Sequence, residues 1–291
     1  MRVTQNLSNR NFLYNIENLN STLEDASQEV STGRKINHLS DSPSGSAELV
    51  ELRAEASQID QYRTNSDSGI FLLGMNDQVL TSVHDLMTTI FTRGSDAASN
   101  YNDAASRATL TQDIRSLRDQ ILSLANTESR GRYLFAGSQV TAPAFTIAGD
   151  AVTYQGDDLL NTIQVGDSLS VEVNLSGNSV FQPIFDTISN LVSALDSNDP
   201  TAIQNALNQF SPALNNLNKF RGQVGLNLSR LQDLGTELDS LSTSVSTRQG
   251  HVEDANMAEA ITHLTQVQTE VQAALTAQSS TNRRNLFDFL A

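Results

Sequence analysis

The sequence predicts a mainly α protein: an elongated, hairpin-like rod of long coiled-coil helices, with a small β-rich insertion at its tip and the N- and C-termini paired at its base. Three observations predict it. First, the two ends carry matching apolar seams. Near the start, Phe12, Ile16, Leu19, Leu23, Ala26 and Val30 step by alternating fours and threes. Near the end, Met257, Ile261, Leu264, Val271 and Leu275 do the same, with one polar place at Gln268. Such a seam belongs to a helix that packs lengthwise on another helix. Second, aromatic residues are only 5% of the chain and Trp is absent. Helices paired through narrow aliphatic seams suit that composition, because they bury a stripe rather than a ball. Third, the apolar period falls from helical to two within residues 131–180, where glycines also multiply.

The elements follow in order. A first helix is expected from Thr4 to Thr32, with Gly33 as its C-cap and Arg34 and Lys35 near the negative end of its dipole. A loop over Ile36–Ser42 leads to Pro43, which suits a first helical turn, with Ser42 as N-cap. The second helix runs from Pro43 toward Asn100 on Leu49, Leu52, Ala56, Ile59, Ile70, Leu73 and Leu80, then shifts phase to Val79, Val83, Leu86 and Ile90. Gly69, Gly74 and Gly94 are candidate bends or breaks. Leu110, Ile114, Leu117, Ile121 and Leu124 define a third helix. Strand character follows at Ala151–Gln155, at Ile163 and Val165, and at Leu169, Val171, Val173 and Leu175. Asp150, Asp157, Asp158, Asp167 and Glu172 predict an acidic surface for this insertion. Helix returns at Ile184, Ile188, Leu191 and Leu195. Asp199-Pro200 opens another, and a single seam is expected from Ile203 through Phe210, Leu217, Val224 and Leu231 to Leu241. The expected organisation is 1–42, the N-terminal part of a terminal coiled-coil domain; 43–130, the first part of a helical rod domain; 131–180, the β-rich tip; 181–252, the second part of the rod; and 253–291, the C-terminal part of the terminal domain.

Composition narrows the function. The net charge is −15 with no Lys/Arg block, so nucleic acid and anionic membranes are not expected partners. Cysteine is absent, which excludes disulfides, thiolate metal sites and a cysteine nucleophile. No apolar run reaches the roughly 18–20 residues of a membrane span, so no membrane insertion is expected. Met1–Asn11 lacks the basic and apolar regions of a secretory signal, so any export is expected to use another route. The four histidines form no close helical pair and no HExxH motif. The insertion's carboxylates lack EF-hand spacing and read as a solvated face. No phosphate loop or nucleophile elbow is present, so no catalytic residue, cofactor or metal is predicted.

Several segments, in order, resemble the flagellin superfamily and in particular its hook–filament junction branch. Val30-Ser31-Thr32-Gly33-Arg34-Lys35-Ile36-Asn37 resembles that family's LSSGLRIN segment, and Ser40-Asp41-Ser42-Pro43 its SDDP loop. Asp60-Gln61-Tyr62 with Asn65, and Gly131–Ser138, resemble its DQY..N and G.YIFAGS segments. Glu253–Ala260 resembles EDADYAEA, and Asn285–Leu290 the LSLFDYL terminus. The resemblance covers nearly the whole chain and is weakest over residues 88–100 and inside the β insertion. It implies a structural, non-enzymatic subunit of the bacterial flagellum, outside the cell, exported through the flagellar type III apparatus. Its implied partners are a ring of identical subunits, hook-associated protein 1, flagellin, and a cytosolic export chaperone at the C-terminal region. A filament flagellin, or an exported adhesin or effector built on the same helices, is the alternative.

The expected subunit interface lies on the terminal helices: Phe12, Ile16, Leu19, Leu23 and Val30 on the first, and Met257, Ile261, Leu264, Val271 and Leu275 on the last. Leu286, Phe287, Phe289 and Leu290 add an apolar tag at the end. The plainer reading is a helix pair that folds completely within one monomer. Against it, ordering each residue costs about 1–2 kcal/mol of backbone entropy, which a narrow stripe containing Ala26 offsets poorly.

Overall fold

The computed structural model describes residues 2–99, 103–139 and 141–290, with only the backbone described at 2–6, 8 and 281–290. It is mainly α with a small β insertion. The helices are α1 (Arg2–Thr32), α2 (Pro43–Ala97), α3 (Ala104–Ala125), α4 (Gly177–Asp196), α5 (Pro200–Asn208), α6 (Phe210–Glu253) and α7 (Met257–Leu290). Between α3 and α4 lie six short strands: β1 (Glu128–Ser129), β2 (Arg132–Tyr133), β3 (Phe145–Ala148), β4 (Ala151–Tyr154), β5 (Thr162–Gln164) and β6 (Ser170–Glu172). They pair as three separate antiparallel hairpins. The chain divides into two compact units, one of Met1–Gln58 with Leu241–Ala291, the other Ile59–Ser240.

In the second unit, α4 is the organising helix. It packs on α3, α5 and β4, and Ile184, Ile188, Leu191 and Leu195 are all buried, as their spacing predicts. Phe181 meets Phe135 edge-on at 4.8 Å and Phe145 at 5.7 Å, so aromatic residues from three segments close the core. Pro183 lies inside α4. It has no N–H for the Ser179 carbonyl four residues back, and Asn216 Nδ2 supplies the missing donor at 3.1 Å. The cap of α5 is as expected, with Thr201 N–H donating to Asp199 at 2.8 Å.

Three expectations need correction. The seam from Ile203 to Leu241 is not one helix, because the chain turns at Gln209, the C-cap of α5, before α6 begins at Phe210. The apolar spacing survives the turn because Ile203, Leu207 and Phe210 all point into the same core. The α2 glycines do not break that helix, which runs through all three. A Cβ at Gly94 would come within 2.9 Å of Leu191 and Leu207, so that glycine serves close approach rather than bending. Asp150 does not join an acidic face. It is bound by Arg115 at 3.0 Å and Arg118 at 2.6 Å, and Arg115 also reaches Asp196 at 2.6 Å. Arg118 is itself buried, so the carboxylate completes it electrostatically.

Candidate assembly site: the terminal helix pair and its root

The first unit is built on α1 packed along α7. The helices run antiparallel, with Gln278 Nε2 near the end of α7 donating to Asn9 Oδ1 near the start of α1 at 3.2 Å. On α1 the covered apolar positions are Phe12, Ile16, Leu19, Leu23, Ala26 and Val30. On α7 they are Ala260, Leu264, Val267, Val271, Ala274 and Gln278, again by fours and threes. The α7 seam is therefore turned by one residue from the register that the apolar spacing predicts. Leu264 and Val271 belong to both. Met257, Ile261 and Leu275 are 42%, 50% and 52% exposed, and Val267 takes the buried place. Side-chain size favours 257, 261 and 275 over Ala260 and Ala274 as seam positions, but the smaller residues are the ones that let α7 approach α1. Leu286, Phe287, Phe289 and Leu290 have side chains outside the described residues.

The pairing is incomplete within one chain. Phe12 and Leu19 of α1, with Ala274, Ala277 and Gln278 of α7, help line an open groove of about 530 Å³. Leu7, Leu13 and Tyr14 on α1 are more than half exposed.

The root of the pair is a polar clasp that the apolar pattern does not reveal. Gly33 ends α1 at φ +73°, a conformation that favours glycine. Its N–H donates to Glu29 O at 2.9 Å, and its carbonyl accepts from Ala255 N–H at 2.9 Å. Lys35 N–H donates to Glu253 O at 2.8 Å, and Arg34 and Asp254 form an antiparallel bridge. The Glu253 carboxylate, buried, accepts from Arg34 at 2.9 Å and Arg53 at 2.8 Å. Lys35 Nζ reaches the His251 carbonyl at 3.1 Å. It thus caps the C-terminal end of α6 rather than α1, whose dipole it was expected to serve. The loop that follows is fixed by Asp41, which accepts from His38 N–H at 2.7 Å and Asn37 N–H at 2.9 Å. These backbone donors, His38 first, hold its carboxyl below the usual carboxylate range. Gly45 N–H donates to Ser42 Oγ at 3.2 Å, the expected cap of α2. The charged runs Gly33-Arg34-Lys35 and Glu253-Asp254 are the available signal in the sequence, since each sits at a helix end and their signs are opposite.

Among the described residues no group of three or more His, Asp or Glu side chains converges as metal ligands would, and no helix is long and apolar enough to cross a membrane. What the site offers is two long helices with uncovered apolar positions, held at one end by a hydrogen-bonded, ion-paired clasp. That is the chemistry of assembly.

The comparisons with known proteins agree with this class. Residues 3–140 match the bacterial flagellin N-terminal helical region and residues 207–290 the bacterial flagellin C-terminal helical region. The chain belongs to the flagellin superfamily and is a structural component of the bacterial flagellum. Within that family it is similar to flagellar hook-associated protein 3 of Escherichia coli, at 26% identity over 89% of this chain and 90% of that one. It is also 26% identical to hook-associated protein 3 of Salmonella typhimurium, over 68% of this chain and 62% of that one. Flagellin of Listeria monocytogenes is 21% identical over 97% and 96% of the two chains. Among solved structures, hook-associated protein 3 of Legionella pneumophila superposes with a TM-score of 0.65 at 14% identity, over 70% of this chain and 98% of that one. FlgL of Bacillus cereus does so with a TM-score of 0.61 at 18% identity, over 69% and 99%. These two likenesses concern the fold.

Proposed function

We propose that this chain is the subunit of the junction between the flagellar hook and filament, polymerising through α1 and α7. The observation that carries the reading is the unfilled groove along Phe12 and Leu19, together with the outward apolar positions Leu7, Leu13, Tyr14, Met257, Ile261 and Leu275. A solvated helix pair has little use for six exposed large apolar side chains along two helices, whereas a helix packed among neighbours buries them. Copies of α1 and α7 from adjacent subunits fill the groove and cover these residues, so ordering of the terminal helices and assembly are one process. Leu286, Phe287, Phe289 and Leu290 contribute to the same interface.

In this reading identical subunits form a ring on hook-associated protein 1 and present a surface on which flagellin polymerises. Before export through the flagellar type III apparatus, a cytosolic chaperone covers the C-terminal region. Support for the junction over the filament comes from the higher identity to hook-associated protein 3, 26% against 21% for the Listeria flagellin. Gold-labelled antibody against unit Ile59–Ser240, applied to intact flagella, tests the reading. A single band at the hook–filament boundary is expected. Label along the whole filament would make the chain a filament subunit instead, and label on no part of the flagellum would sink both.

A further inference from the structure

A second feature, in the unit Ile59–Ser240, has the form of a receptor for a short peptide segment. The β1–β2 hairpin and the β5–β6 hairpin lie against α2 and leave a cleft of about 290 Å³ between them. Its apolar floor includes Phe71, 48% exposed, and Ile163. Its polar lining includes Asn76, which is 1% exposed. Asn76 Nδ2 donates to the Val173 carbonyl at 3.3 Å, yet its Oδ1 has no donor. A buried acceptor left open costs free energy unless something occupies it. Arg130 and Arg132 stand at the rim. The two-residue turn Arg130-Gly131 has both residues at positive φ, 52° and 77°, which sends the Arg130 guanidinium back over the Phe71 ring at 5.4 Å. No ion pair is found for either arginine among the described residues, in a chain of net charge −15. The cleft therefore suits an occupant with carboxylates and one or two aliphatic side chains. Its volume lies just below the usual range for small-molecule pockets, which suits side chains better than a cofactor.

The same chain displays such a segment. Asp157-Asp158-Leu159-Leu160 follows β4, and its leucines are 61% and 46% exposed. They are the only adjacent pair of exposed large apolar residues in this unit among those described. The loop is not loose. Asp157 accepts from Ser138 N–H at 2.8 Å and Leu159 N–H at 3.2 Å, and also from the Ser138 hydroxyl. Asp158 accepts from the Ser176 hydroxyl and from Asn178. Two leucines held out to water on a pinned loop form a preorganised knob, which loses little freedom on docking.

The geometry points to a self-contact: the Asp157–Leu160 knob of one copy seats in the Phe71–Asn76 cleft of the next, with Arg130 and Arg132 facing its carboxylates. Seated without the reciprocal contact, the knob of one copy in the hole of the next is a head-to-tail contact, which closes into a ring or continues as a helix. The inference rests on the proposed assembly and adds a second contact, remote in sequence from α1 and α7.

The chain has no cysteine, so engineered thiols report cleanly. Cells carrying two differently tagged copies, Arg132→Cys in one and Leu159→Cys in the other, provide flagella for treatment with a short bismaleimide. Doubly tagged dimers are expected in several-fold excess over those formed when Leu226→Cys, on the exposed face of α6, replaces Leu159→Cys. Equal yields from the two pairings, with both tags present on the flagella, would overturn the contact while leaving the junction reading intact. Absence of both tags from flagella, with the unsubstituted chain absent too, would overturn the assembly reading and this contact with it. Should only the substituted copies be absent, the same cross-link is read on purified full-length chains polymerised in vitro, where a several-fold excess supports the contact and equal yields overturn it.

Discussion

Glu253 accepts a hydrogen bond from Arg34 at 2.9 Å, so the last residue of α6 and the second residue after α1 are joined across about three quarters of the sequence. Arg53 on α2 meets the same oxygen at 2.8 Å. One carboxylate thus ties three helices at the point where the terminal pair begins.

Replacing that carboxylate tests the clasp. Glu253→Gln keeps the shape and removes the charge that both arginines face. The arginines are about half exposed and regain water, so the cost is about 1–2 kcal/mol. Faster hydrogen exchange at the Lys35 and Ala255 amides is the expected readout, since both donate across the clasp. Unchanged protection at these two amides would show that the backbone bridge stands without the carboxylate.

Asn216 and Pro183 should be coupled. Asn216→Leu removes the side-chain donor to Ser179 O, with a loss of about 0.5–1.5 kcal/mol in denaturant unfolding. In a Pro183→Ala background the helix supplies its own N–H to that carbonyl, and the same substitution should cost less. Strict additivity of the two changes would count against the account.

Unit Ile59–Ser240 should lose stability at both pH extremes. The Arg115 guanidinium, with Arg118, holds the Asp150 carboxyl below the usual carboxylate range. A depressed carboxyl contributes stability above its unfolded value near pH 4, and that stability drains as pH falls toward the folded value. Burial, with the Asp158 and Asp157 charges, raises the Tyr154 hydroxyl to about 12. Its stability is full below pH 10, the unfolded value, and is lost as pH rises toward 12. Tyr154→Phe should flatten the alkaline limb and leave the acid limb alone; Asp150→Asn should do the reverse. Thermal unfolding followed across pH separates them.

In dilute solution α1 and α7 should be the first segments cut. Trypsin is expected to cleave at Arg10 well before Arg63 on α2, and this order should reverse or vanish on assembled flagella. Equal resistance at both sites in the dilute monomer would mean that the terminal pair is complete on its own.

Removing the residues after Arg284 should abolish assembly while leaving the unit Ile59–Ser240 folded by circular dichroism and exchange protection. Normal incorporation of the truncated chain into flagella would remove Leu286, Phe287, Phe289 and Leu290 from the interface.

The sequence speaks clearly where a single side-chain type dominates a period. The α1 seam, the α4 seam and the caps at Ser42 and Asp199 are all legible, because bulky apolar residues or capping oxygens stand in unbroken register. The α7 seam misleads because its packing uses alanines. Size points to Ile261 and Leu275, while close approach selects Ala260 and Ala274. The break at Gln209 leaves no mark, since the turn keeps Leu207 and Phe210 on one core. The clasp and the Arg115–Arg118–Asp150 cluster join residues distant in sequence; opposite charges at the ends of α1 and α6 mark the clasp, but charge spacing alone does not say which distant partner a side chain meets.

Gly69 has a consequence for how this chain can change. A methyl there would stand 2.5 Å from Ile163 on β5, 2.7 Å from Leu231 on α6 and 3.2 Å from Val173 just after β6. A side chain at 69 is admitted only if the terminal methyls of Ile163 and Leu231 swing aside, so this point of α2 ties the packing of β5 and α6 together.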